Sequence, residues 1–337
     1  MTHLLVSTDW LAAKLGSPDL VVLDASYHLA PTGRDAKAEF AAGHIAGARF
    51  LDLAALSDPA AEFDNTVPTA QQFQDRVREL GVSDASHVVL YDDSPLKSAA
   101  RAWFLFTLFG AKNVSVLDGG LAKWKAEGRP ETREDDPAAP GDFTANPDPS
   151  LLRDKQAVLD SLKGSAQVVD ARGAGRFTAD ESEPRPGMAS GHIPGARNLP
   201  IGMLYGAGGT MKAPSEIEAE FVAAGVDLER PVITSCGSGV TAAVLSLALA
   251  RLGKRDVALY DGSWSEWGSD PDTPKEQGPA GAPRLGCSGR SEASHRHPPC
   301  RGWTAQAMDQ SARPARRSRQ SADLAGQHTS LRKLRRT

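Results

Sequence analysis

Cysteine is scarce in this chain, with three in 337 residues, at positions 236, 287 and 300. No two of them lie at the Cys-x-x-Cys spacing of a redox pair, none forms a metal-ligand pair, and the pattern gives no disulfide framework. Long apolar runs are missing as well. The longest, Ala242 to Ala250, falls far short of the ~20 residues that cross a bilayer, and no basic segment followed by an apolar core opens the chain. The expectation is a cytoplasmic protein without membrane association, metal or cofactor, whose working thiol suits a reducing compartment.

Net positive charge is missing from most of the chain. Residues 279–337 carry 12 Lys/Arg against 3 Asp/Glu; with a formal charge of −4 overall, the first 278 residues carry −13. An acidic body gives no support to nucleic-acid binding. The basic end lacks usable periodicity and interleaved aromatics, as in Arg313-Pro-Ala-Arg-Arg-Ser-Arg319, so residues 276–337 are expected to be a disordered tail with no chemistry assigned.

What is present is a repeat. Gly191-His-Ile-Pro-Gly-Ala-Arg197 answers Gly43-His-Ile-Ala-Gly-Ala-Arg49, Val168-Val-Asp-Ala-Arg172 answers Val21-Val-Leu-Asp-Ala25, and Val257-Ala-Leu-Tyr-Asp-Gly262 answers Ser115-Val-Leu-Asp-Gly119. Strands alternate with helical segments in each copy, which predicts an α/β fold of two tandem domains, each a mostly parallel sheet flanked by helices. The expected bounds are 1–130 and 151–275, joined by an acidic linker at 131–150 that holds four prolines. Since Gly-His-Ile occurs in both copies, His44 and His192 read as structural. The pattern from Leu4 to Leu15 fits a helix capped by Ser7 or Thr8.

The chain's most specific stretch is Pro231-Val-Ile-Thr-Ser-Cys236-Gly-Ser-Gly-Val-Thr241-Ala242, a β-branched run that ends at a cysteine and passes through two glycines into a helical pattern. Gly237 and Gly239 allow a tight loop whose N–H groups face the sulfur from a helix N-terminus, a cradle that favours a nucleophilic thiolate. The equivalent position in the first copy is Asp92, so that copy is expected to lack thiol chemistry and to supply one wall of the cleft. A cysteine phosphatase needs an arginine six residues on, where Ala242 stands, and a dithiol reductase needs a second cysteine nearby. Sulfur transfer needs only one thiolate and a loop that stabilises a persulfide.

Cys236-Gly-Ser-Gly-Val-Thr-Ala242 together with Asp261-Gly-Ser-Trp264-Ser-Glu-Trp267 resembles the two-domain rhodanese family, and within it the mercaptopyruvate sulfurtransferases, over about Leu4 to Pro274. The resemblance implies a Cys236 persulfide that moves sulfur from 3-mercaptopyruvate to a thiol acceptor such as thioredoxin or a small thiol, releasing pyruvate. Thiosulfate sulfur transfer and a non-catalytic persulfide carrier are the alternatives. Thiosulfate enzymes carry basic residues directly after the cysteine, whereas Gly237, Ser238 and Gly239 are neutral.

By the same resemblance, Arg176 and Arg185 bind the donor carboxylate, while Arg172 is expected in a structural ion pair. Gly237, Gly239 and Val240 complete the donor site. Ser238 and Thr241 donate to sulfur or relay a proton, with a helix N-cap as the alternative for Thr241. The family's relay histidine and its acid fall on Asn65 and Ala54, so the relay is not expected to operate here, because an amide cannot transfer protons.

Overall fold

The computed structural model describes residues 3–281. Cys287, Cys300 and the expected tail beyond residue 281 lie outside the described residues. In the first half, β1 (Leu5–Val6), β2 (Leu20–Asp24), β3 (His44–Ile45), β4 (Ala48–Phe50), β5 (His87–Tyr91), β6 (Val114–Leu117) and β7 (Glu131–Thr132) follow in order. Five of them make a parallel sheet in the order β1-β6-β5-β2-β4. In the second half, β8 (Leu152–Arg153), β9 (Gln167–Asp170), β10 (Arg197–Asn198), β11 (Val232–Ser235) and β12 (Val257–Tyr260) pair in parallel as β10-β9-β11-β12-β8. The central strands are short apolar runs because helices cover both faces of a parallel sheet. This is the expected architecture.

The N-terminal segment divides where one helix was expected. Leu5 and Val6 pair with β6 at the sheet edge, and the helix Thr8–Lys14 starts after Ser7, whose Oγ accepts the Trp10 N–H at 3.1 Å. Two helices hold the halves together. Ala99–Leu108 and Ala242–Arg251 are apolar on nearly every face, and such a helix has to be buried all round. They pack against each other, so one continuous core runs from Val21 in the first half to Leu259 in the second.

Both Gly-His-Ile segments are structural, as their repetition predicted. The His44 ring stacks on Phe40 at 3.8 Å with its Nδ1 2.8 Å from the Phe40 carbonyl; the His192 ring stacks on Phe177 at 3.8 Å with its Nδ1 2.9 Å from the Phe177 carbonyl. Each segment also receives a closing strand. Glu131 and Thr132 pair antiparallel with β3, and Glu276 exchanges two backbone hydrogen bonds with His192, at 2.8 and 2.9 Å. Gly191 permits that approach: its φ is +122°, and a Cβ there would lie 2.2 Å from the Glu276 carbonyl oxygen.

Residues 276–281 therefore pack on the second half, with the Gly278 N–H on the Thr178 carbonyl at 2.9 Å. Composition alone had assigned this stretch to the tail. The segment 131–150 is pinned rather than free, because Phe143 is buried against Phe73 and Phe106. Among the described residues, no helix is long and apolar enough to cross a membrane, and no cluster of His, Cys, Asp and Glu could hold a metal ion.

Candidate active site

Strand register puts Cys236 and Asp92 in equivalent places. Ser235 lies opposite Asp170 and Tyr91 opposite Asp24, and the next residue in each copy leaves the sheet. Asp92 closes its own loop: Oδ1 accepts the Ser94 N–H at 3.0 Å and Oδ2 the Ala99 N–H at 2.7 Å, which caps the helix Ala99–Leu108. Burial raises this carboxyl above its usual range. The first copy thus fills with a side chain the space that the second copy leaves at the start of Ala242–Arg251.

Cys236 is 2% exposed, at the floor of its loop. Ser263 Oγ accepts the N–H groups of Cys236 and Gly239 at 3.2 and 3.1 Å and donates to the Tyr260 carbonyl at 2.9 Å. The Gly239 amide, expected to face the sulfur, is thereby taken by Ser263. Gly239 serves instead through its backbone, with φ at +79°; Gly237 lies outside the left-handed region, so only one of the two glycines meets the expected conformational need. The N–H groups of Gly237, Ser238, Val240, Thr241 and Ala242 meet no acceptor among the described residues. These donors at a helix start can hold an anion.

Thr241 occupies the N-cap position in a helical conformation, and its hydroxyl makes no capping bond. It is thus the N-cap by position, as the alternative had it, without the side-chain bond of one. Ser238 is buried, and its Oγ accepts a hydrogen bond from Asn65 Nδ2 at 3.3 Å, so the residue at the family's histidine position reaches the loop serine without being able to relay a proton. Ala54 and Asp64 are both exposed and make no contribution to this bond. The Val240 side chain sits in the seam between the halves, beside a cavity of about 10 Å³ that Leu105 and Arg101 also line.

The two expected arginines both arrive over the loop. Arg176, from the short helix Ala174–Thr178, approaches Gly237 closely enough that a Cβ there would lie 3.6 Å from its Nη2 and 3.9 Å from its Nη1. It is also ion-paired: Glu183 receives its Nε at 3.3 Å and its Nη2 at 2.5 Å, which leaves Nη1 open. Arg185 donates through Nη1 to Ser265 Oγ, and that hydroxyl donates to the Gly237 carbonyl at 2.6 Å. Arg172 is the expected structural pair. Its guanidinium is buried between Asp170, at 2.7 Å, and Glu183, at 2.6 Å, with Trp264 stacked on it at 4.4 Å. Burial opposes its charge, and the two carboxylates outweigh that and hold it above its usual range.

Five residues at the site were not foreseen as such: Glu183, Ser263, Ser265, Asp261 and Arg101. The signal for Ser263 and Ser265 was present in the polar residues that flank buried Trp264 in Asp-Gly-Ser-Trp-Ser. For Arg101 it was a lone charge in an apolar helix. Asp261 Oδ1 takes the Arg101 Nη2 at 3.0 Å, and its Oδ2 takes the Val67 N–H at 2.7 Å.

A buried cysteine under a neutral loop, repeated sheets and two converging arginines give a basis for comparison with known proteins. The model of the rhodanese-like domain matches residues 7–127 and 154–270. A 3-mercaptopyruvate sulfurtransferase of Rattus norvegicus is 44% identical over 270 residues, covering 78% of this chain and 91% of the relative. A thiosulfate sulfurtransferase of Cricetulus griseus is 42% identical over 287 residues, covering 82% and 96%. The crystal structure of SseA from Escherichia coli, a 3-mercaptopyruvate sulfotransferase, superposes with a TM-score of 0.72 at 40% identity, over 79% of this chain and all of that one. With both family matches falling on the two parallel sheets, and the cysteine loop in the second, this chain belongs to the rhodanese-like family.

Proposed function

We propose that the protein is a 3-mercaptopyruvate sulfurtransferase. The observation that carries this reading is the convergence of Arg176 and Arg185 on Gly237, beside a loop with no cation of its own. Arg176 Nη1 and the free donors of Arg185 hold the donor carboxylate, at a distance from the reacting sulfur. Cys236, as thiolate, attacks the sulfur of 3-mercaptopyruvate, and the S–S bond forms as the C–S bond breaks. The electron pair leaves with the carbon as the enolate of pyruvate, which takes a proton at carbon.

The N–H groups of Gly237, Ser238, Val240, Thr241 and Ala242, with the Ser238 and Thr241 hydroxyls, stabilise the resulting persulfide anion. An acceptor thiolate, from thioredoxin or a small thiol in the cytoplasm, then attacks the outer sulfur and releases the Cys236 thiolate. Asn65 holds Ser238 in place, and the proton for the enolate comes from water or from the Ser238 hydroxyl.

The relative named for thiosulfate keeps a second donor in view, and one assay separates the two. Pyruvate release from 3-mercaptopyruvate is compared with thiocyanate formation from thiosulfate and cyanide on the same purified chain. The proposal expects the first to have the higher kcat/KM, and a preference for thiosulfate sinks it.

A further inference from the structure

Arg101 is the only charged residue in the helix Ala99–Leu108, and it is 3% exposed. A guanidinium is held in such a place only when its hydrogen bonds are met. The equivalent third position of the partner helix Ala242–Arg251 is Val244, so helix packing alone does not call for the charge.

Its partners show what the charge is for. Nη2 donates to the Asn65 carbonyl at 2.6 Å and to Asp261 Oδ1 at 3.0 Å, and Nη1 donates to the Gly239 carbonyl at 3.4 Å. Asn65 is the residue whose Nδ2 reaches Ser238 Oγ, and its φ of +63° is a conformation that needs support from outside. Gly239 is the turn directly after Ser238. Arg101 thus grips the cysteine loop on one side of Ser238 and Ser238's hydrogen-bond donor on the other, while Asp261 fixes the guanidinium itself.

We infer that Arg101 is a positioning residue for sulfur transfer. From the copy that has no cysteine, it sets the Ser238 hydroxyl and the Gly239 turn above Cys236. The inference rests on the reading of Cys236 and Ser238 given above, and it assigns the first domain a part in the chemical step besides its share of the core.

The test uses the full chain and three variants, Arg101→Gln, Arg101→Lys and Asp118→Ala. The last removes the acceptor of a hydrogen bond between the halves that involves no residue of the cysteine loop, from the Met211 N–H to Asp118 Oδ1 at 2.7 Å, and serves as the control for loosened packing. Arg101→Gln is expected to lower kcat for 3-mercaptopyruvate by about tenfold or more, the scale of loss from a displaced catalytic group. Its KM should stay within about twofold because Arg176 and Arg185 are untouched. Arg101→Lys should recover part of kcat, and Asp118→Ala should lower the melting temperature with kcat unchanged.

If Arg101→Gln does not accumulate as folded protein, Arg101→Lys is read against the same control. Wild-type kcat in the Arg101 variant, or an equal fall in Asp118→Ala, overturns the inference and leaves Arg101 as a clasp. The rate of Cys236 alkylation by iodoacetamide, measured in parallel, needs no donor. A wild-type chain that releases no pyruvate sinks the donor assignment, whereas alkylation that is the same in wild type and Arg101→Gln sinks the positioning role.

Discussion

Asp118 and Asp261 make the same bond in opposite directions. Each follows the last parallel strand of its own sheet, and each accepts a backbone N–H from the other half at 2.7 Å, Met211 to Asp118 Oδ1 and Val67 to Asp261 Oδ2. The clasp follows the repeat, but among the described residues an arginine bonds the aspartate itself on one side alone, Arg101 on Asp261, and that side adjoins the cysteine.

Replacement of Cys236 by serine should abolish sulfur transfer to every acceptor, because a hydroxyl is a far weaker nucleophile at neutral pH and forms no persulfide. The check is turnover with 3-mercaptopyruvate and with thiosulfate, together with mass spectrometry for a 32-Da adduct on the wild-type protein, about the mass of one sulfur atom. Residual turnover in Cys236→Ser would place the chemistry elsewhere.

Arg185→Ala should reduce kcat/KM for 3-mercaptopyruvate by about one to two decades, the loss of charge-assisted hydrogen bonds worth roughly 1.5–3 kcal/mol. Any thiosulfate turnover should fall less, since that donor has no carboxylate to clamp. Ser238→Lys should move the ratio the same way by adding a cation beside the sulfur. Equal losses for both donors in Arg185→Ala would contradict the carboxylate assignment.

Gly239→Ala should cost stability and activity together. The residue sits at φ +79°, and its new Cβ would lie 3.2 Å from both Arg101 Nη1 and the Asp261 carbonyl oxygen. Left-handed strain of about 1–2 kcal/mol is expected from the backbone alone. Gly237→Ala, with ordinary φ and only the Arg176 guanidinium within 4 Å, should unfold close to wild type. Chemical denaturation of the two variants gives the comparison.

Asp24 carries the clearest pH signature. Burial pushes its carboxyl up to about 6, with Asp92 adding to the shift and bonds from Ser26 and Tyr91 opposing it. The folded state therefore keeps a proton that the unfolded chain gives up near pH 4. This group's contribution is most favourable below that pH, declines as pH rises towards about 6 and is flat above. Asp24→Asn should stabilise the protein at pH 7 by about 1–3 kcal/mol and make little difference at pH 4. Melting temperatures of both proteins at the two pH values test the sign.

The parts of this molecule that were legible in the sequence are those written in one contiguous segment. The repeated Gly-His-Ile turns, the strand into Cys236 and the Gly-Arg-Phe and Glu-Pro-Arg arginines each announce themselves over a few residues. The parts that were not legible are those made across the chain. Asn65 and Ser238 are 173 positions apart and Arg101 and Asp261 are 160, and no local pattern pairs them. The Gly239 amide was misread for a related reason: its acceptor, Ser263, opens the helix Ser263–Trp267, 24 positions further on. At Glu276 composition gave the wrong answer, because a short bridge needs backbone hydrogen bonds and not apolar side chains.

The two apolar helices have a consequence for biosynthesis. Ala99–Leu108 has its partner face in Ala242–Arg251, which leaves the ribosome some 140 residues later. At translation rates of about 5–20 residues per second, that face waits roughly 7 to 30 s for its cover. Over that interval the apolar face of the nascent first domain has no cover from the second copy, and surface of that kind is what chaperones hold.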